Sequence, residues 1–215
     1  MMMQASKLGV PLLAAIALTL AAPPAAGAAA APANRANATE APFISKLTAS
    51  LMARYPTTNA AVKGGYFQLT PLDQDNTAIY FNGTYTNVDP MHPNFLWYDR
   101  HGKLVGLDYE YAMSKWPKIP TTSEYPVLAA RWTVIRAHMH FAYRMGSGPM
   151  VMHGAHLRPN ITRNPVTAAQ LQADHLLPAG AKLQWADYHP KCWDLGFWLV
   201  SNPLGAFAEK NPLVK

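Results

Sequence analysis

The sequence predicts an α+β domain, a mostly antiparallel β-sheet with one or two short helices packed on it. Three observations carry that reading. Half of the 215 residues are hydrophobic, enough to build a core. From residue 65 onward, apolar residues alternate in short runs bounded by Gly, Pro and Asn. The 19 prolines exclude long uninterrupted helices and coiled coils.

The elements follow in order. Residues 1–28 have a short basic head, an apolar run over 8–20 and an A-x-A site at Ala26-Gly27-Ala28, the layout of a secretory signal peptide. Residues 29–41, rich in Ala, Pro and Asn, read as a disordered lead-in to a single globular domain over 42–215. Phe43, Ile44, Leu47, Leu51 and Met52 recur at helical spacing and predict a helix over 42–55, stopped by Pro56. Strands are expected over 66–70, 78–82, 95–99 and 103–113, the last two joined by the Arg100-His101-Gly102 turn. Three prolines make 117–127 a loop, and 131–144 is the longest strand candidate. Asn164-Pro165 is expected to open a helix running to about residue 175. Closing strands over 182–187 and 192–200 lead to a tail pinned by Leu204 and Phe207.

Composition narrows the function. Removing 1–28 takes away one Lys and no acid, leaving 17 basic and 12 acidic side chains and a net charge of +5. The cations are spread singly, so nucleic acid is not the expected partner. No apolar stretch after residue 30 is long enough to span a membrane. The leader predicts a periplasmic or extracellular protein whose partner is a small molecule or an envelope protein. One Cys excludes an internal disulfide framework and any CxxC metal motif. There is no Gly-rich phosphate loop, so no nucleotide cofactor is expected, and neither G-x-S-x-G nor HExxH is present. Cys192, with His189 before it and Asp194 after it, has no family signature around it and reads as a buried or edge cysteine.

The chemistry concentrates elsewhere. On a strand over 131–144, alternation puts His138 and His140 on one face beside Arg136, and two imidazoles so spaced can share a metal ion. Residues 138–156 hold four of the eight His (His138, His140, His153, His156) and also Met139, Met145, Met150 and Met152. Imidazole with thioether suits copper, although Met139 falls on the opposite face. On 103–113, Asp108 and Glu110 share a polar face and either complete a His/carboxylate site or pair with Arg136. Candidate metal ligands are therefore His138, His140, Asp108, Glu110, His153 and His156, for a divalent or copper ion (zinc, copper or iron).

The chain also resembles a family of uncharacterised secreted bacterial proteins over about 55–212. The resemblance rests on Arg54-Tyr55 with Gly65-Tyr66, Asn82-Gly83-Thr84-Tyr85-Thr86-Asn87, Asp89-Pro90, Leu96-Trp97-Tyr98 and Leu104-Val105-Gly106-Leu107-Asp108-Tyr109. Further on it rests on Trp132, His138-Met139-His140, Trp198-Leu199, the closing Asn202-Pro203-Leu204-Gly205-Ala206-Phe207-Ala208 and Asn211-Pro212. Similar proteins carry His where Thr84 stands, an acid where Asp108 stands, and often His within the segment matching 193–198. Such a cluster implies a metal site, of which this chain keeps His138, His140 and Asp108, with His153, His156 or His189 as substitutes. The expected function is an exported metal-binding protein, the alternative a non-catalytic envelope module that binds a ligand or protein through exposed aromatics.

Overall fold

The computed structural model describes residues 34–215 apart from Gln74 and Val88. The expected signal peptide and the start of the lead-in lie outside the described residues. The rest of the lead-in is tied down rather than disordered. Asn37 accepts the backbone N–H of Thr39 and Glu40 at 2.8 and 2.9 Å, capping helix α1 (Glu40–Arg54), which starts two residues earlier than expected. Phe207 N–H donates to the Asn34 carbonyl at 3.0 Å. A second helix not anticipated from sequence, α2 (Thr58–Lys63), is capped by Thr57.

Among the described residues nine strands make two antiparallel sheets, so the protein is α+β. They are β1 (Phe67–Gln68), β2 (Thr77–Phe81), β3 (Phe95–Asp99), β4 (Leu104–Ala112), β5 (Thr133–Ile135), β6 (His138–Met145), β7 (Met150–His156), β8 (Ala181–His189) and β9 (Cys192–Trp198). The larger sheet runs β1-β2-β3-β4-β9-β5 and the smaller one β7-β6-β8. The turn between β3 and β4 forms as expected. Gly102 takes φ +70° and the Asp99 carboxylate accepts the N–H of His101 and Lys103.

Alternation gives the larger sheet two unlike faces. One carries Tyr80, Leu96, Tyr98, Leu107, Tyr109, Tyr111, Leu195 and Phe197, which bury Leu47 and Leu51 of α1 in the main core. The other carries Trp97, Asp108, Glu110, Cys192 and Asp194 in register, with Glu110 opposite Asp194 and Asp108 opposite Gly196. The smaller sheet turns Met139 and Phe141 into a second core with Leu171 of helix α3 (Ala168–Ala173).

Four expectations need correction. The strand expected over 131–144 is broken, because Thr133–Ile135 pairs with β9 whereas His138–Met145 pairs with β8. The chain changes sheets at Arg136 and Ala137, and it changes back at Pro190 and Lys191 between β8 and β9. Helix α3 begins later than expected, capped by Thr167 with Gln170 in a reciprocal capping box, and Asn164 instead bonds the Asp187 carboxylate and Tyr188 backbone. Strand β7 occupies a segment to which no element was assigned. Leu204 is 49% exposed, so the tail is held by Phe207, packed against the main core, and by buried Ala208, Asn211 and Val214. Among the described residues, no helix is long and apolar enough to cross a membrane.

Candidate metal centre

The two strand crossings put histidines from the smaller sheet opposite the acidic face of the larger one. Between them lies a cavity of about 540 Å³ lined by Asp108, Glu110, His138, His140 and His189, among others. The cross-strand pairing His138 with His189, and His140 with Asp187, sets these side chains on one face.

The imidazoles of His138 and His140 converge, with their Nε2 atoms 2.9 Å apart. His138 Nδ1 lies 2.8 Å from the Arg136 carbonyl. A carbonyl can only accept, so Nδ1 carries the proton and the neutral ring points a lone pair from Nε2 at its neighbour. The Nε2 contact is then a hydrogen bond only if His140 is protonated on Nε2. That leaves His140 Nδ1, buried and without a hydrogen-bond partner, with an unused lone pair. A cation shared by the two Nε2 atoms would replace that hydrogen bond and move the His140 proton to Nδ1. Burial, then the neighbouring His138 and His189 rings, push the His140 pKa down to about 3. Burial also lowers that of His138. Both rings are therefore neutral and able to ligate at neutral pH.

The facing wall is acidic. Asp108, 8% exposed, accepts the Trp97 indole N–H at 2.5 Å. Its pKa is raised well above the usual carboxylate value by burial, then by the Asp194 and Glu110 charges. Burial and the Glu110 charge push Asp194 up to about 6. Thr133 Oγ1 donates to Asp194 Oδ2 at 2.9 Å, while Asp194 Oδ1 is buried without a partner. Room for this arrangement comes from two glycines. A Cβ on Gly196 would lie 2.2 Å from Asp108 Oδ1, and one on Gly106 would lie 2.1 Å from the Trp97 ring.

His189 connects the two walls. It stacks on His138 with ring centroids 4.6 Å apart, its Nε2 forms an ion pair with Glu110, and its Nδ1 lies 4.0 Å from Cys192 Sγ. Burial would lower its pKa, but Cys192 and Glu110 together push it up to about 11.

Of the expected ligands, His138, His140, Asp108 and Glu110 meet at one cavity, and His153 and His156 do not. His153 and His156 project from the opposite face of the smaller sheet, where His153 stacks on Phe141 at 4.3 Å and its Nδ1 contacts His156 Nε2 at 3.3 Å. The two-residue repeat that unites 138 with 140 does not carry round a turn into β7. The methionines are elsewhere too. Met139 is buried in the second core, and Met145 and Met150 are exposed. Among the described residues, the groups of three or more donors lying within 4.8 Å of one another are Glu110/His189/Cys192 and Asp108/Glu110/Asp194. Neither includes His138 or His140, so the carboxylates share the cavity with the histidine pair without closing on it. His189, Asp194 and Trp97 are the residues sequence reasoning undervalued. Alternation along 192–198 does place Cys192, Asp194 and Gly196 on one face, but nothing in the sequence shows that His189 bends across to it. The exposed aromatics expected of a binding module are largely in the core: Tyr66, Tyr98, Tyr109, Tyr111, Tyr125, Trp132 and Trp198 are all buried.

Comparison with models of known families, with curated proteins and with solved structures finds no match.

Proposed function

We propose that this is an exported metal-binding protein whose ion is held by His138 and His140 in a cavity walled by Asp108 and Glu110. The observation that carries the reading is the 2.9 Å Nε2–Nε2 contact, with one ring's proton committed to a backbone carbonyl. Two metal–nitrogen bonds of about 2.0–2.1 Å span that distance at an angle near ~90°. By the general order of divalent-metal affinities, two imidazoles would hold copper more tightly than zinc or iron. Two protein nitrogens leave coordination positions facing the cavity, where a bound ion supplies Lewis acidity or redox chemistry. The protein's own contribution is to keep both imidazoles neutral, fix the tautomer of His138 and hold the facing carboxyls in a water-poor wall.

The test is a melting curve with and without copper and with and without zinc, on the wild type and on His138→Ala/His140→Ala. Saturating ion at about 100 times its Kd stabilises the folded state by roughly 2.7 kcal/mol. The wild type should shift upward, more with copper, and the double variant should not. Equal shifts in both proteins, or none in the wild type, would falsify the assignment. Export belongs to the same proposal, and N-terminal sequencing of secreted protein should find a chain starting near Ala29.

A further inference from the structure

The His138/His140 site makes no use of Cys192, which sits against His189 and Glu110 of that cavity's wall. Cys192 is 3% exposed, and its Sγ donates to the Pro190 carbonyl at 3.2 Å. His189 Nδ1 lies 4.0 Å from that sulfur. Glu110 meets the other nitrogen of the same ring, and its side chain is 9% exposed. All three side chains line a second cavity of about 220 Å³, which shares Glu110 and His189 with the first and also holds Asn164 and Asp187. One Cys in an exported chain is no site by itself. Here, though, it belongs to three donor types gathered within 4.8 Å.

We propose a second metal site, with Cys192 Sγ and His189 Nδ1 as ligands and Glu110 orienting the His189 ring from Nε2, for a thiophilic ion such as zinc. The arrangement follows the carboxylate–histidine–metal pattern, in which the acid fixes the ring and raises the basicity of the nitrogen that ligates. Distances fit. A metal–sulfur bond of about 2.3 Å and a metal–nitrogen bond of about 2.0–2.1 Å cover a 4.0 Å separation at an open angle. The ion takes the place of the thiol proton now given to Pro190 and of the Nδ1 proton, and both protons leave to solvent. Remaining positions would face the 220 Å³ cavity, open to water. Soft thiolate with imidazole selects differently from the two imidazoles next door, so the neighbouring sites discriminate between ions. This site does not depend on the His138/His140 reading.

Cobalt(II) is the probe, because a thiolate bound to it gives a near-ultraviolet charge-transfer band that nitrogen and oxygen ligands do not. The full chain without its leader is titrated with cobalt, as wild type, as Cys192→Ser and as His138→Ala/His140→Ala, with metal content measured after desalting. The wild type should show the band. Cys192→Ser should lose both the band and one equivalent of cobalt while keeping a native circular dichroism spectrum. His189→Gln, which keeps the thiol, is the second variant should the serine not fold, and it should weaken or abolish the band. The histidine double variant should keep the band. If that variant loses no ion, the first site fails while this one stands. A wild type without the band, a band that survives in Cys192→Ser, or a band that disappears with His138 and His140 overturns the second site.

Discussion

At the scale of single residues, the site depends on close approaches that few side chains allow. Gly196→Ala places a methyl group 2.2 Å from Asp108 Oδ1 and 3.0 Å from the Trp97 ring, so one of the two must move. The expected cost is about 1–3 kcal/mol, read as a lower urea midpoint, together with weaker metal binding. An unchanged midpoint would mean that the wall yields freely. Glu40, at the start of α1, offers a test that needs no metal. It is 1% exposed and bound to Arg131 at 2.9 Å. Burial alone would raise its pKa, but the hydrogen bond from Arg131, those from the Asn37 and Leu128 backbones and the Arg131 charge together hold it below the usual glutamate value. The folded pKa is thus below the unfolded one. The stability this linkage contributes is present above the unfolded pKa and is lost as pH falls through the folded one. Glu40→Gln removes the charge facing Arg131, which keeps its bond to the Arg35 carbonyl and its place over Phe207, and should cost about 1.5–3 kcal/mol near neutral pH. It should also flatten the acid limb of a stability–pH curve, and an acid limb as steep as that of the wild type would show that Glu40 is not its source.

At the scale of elements, what was legible in the sequence had a short period and a clean boundary. Strand β3 matches its expected bounds, and β2, β4, β8 and β9 fall within a few residues of theirs, because they are short apolar-rich runs with Gly, Pro or Asn nearby. The pairing of Asp108 with Glu110, and of His138 with His140, was readable for the same reason. The break at Arg136 and Ala137 was not. Alternation continues straight through it, and only the partner strand tells β5 from β6. Strand β7 was hidden by its polar, Met- and His-rich composition, and the true start of α3 by the Asn-Pro step upstream. That start is itself testable. Thr167→Ala removes the hydroxyl that accepts the Gln170 N–H and should destabilise the protein by about 1 kcal/mol in urea, whereas loss of the Asn164 side chain should leave the helix cap intact.

At the scale of the whole molecule, one chain weaves two sheets together by passing between them twice, and the candidate site lies beside both crossings. Histidines from the smaller sheet face carboxylates from the larger one, and an ion held by His138 and His140 would act through β6 of the smaller sheet, whose core is separate from the main one. Amide exchange in β6 and β8 should therefore slow when metal is bound, with little change in β2 and β3, which pack on the main core. Uniform slowing across both sheets would point to global stabilisation instead of a local link.

The slot that Gly106 and Gly196 cut for Trp97 also bears on how this protein can drift over generations. A Cβ at 106 would lie 2.1 Å from the Trp97 ring, so position 97 can keep an indole only while position 106 keeps no side chain. A larger residue at 196 would meet the Asp108 carboxylate first, at 2.2 Å, and so must displace the acid that the indole N–H holds. Substitution at 106 should thus travel with a smaller residue at 97, and substitution at 196 with a change at 108. Chains related to this one should pair an aromatic at 97 with glycine at 106, or have neither.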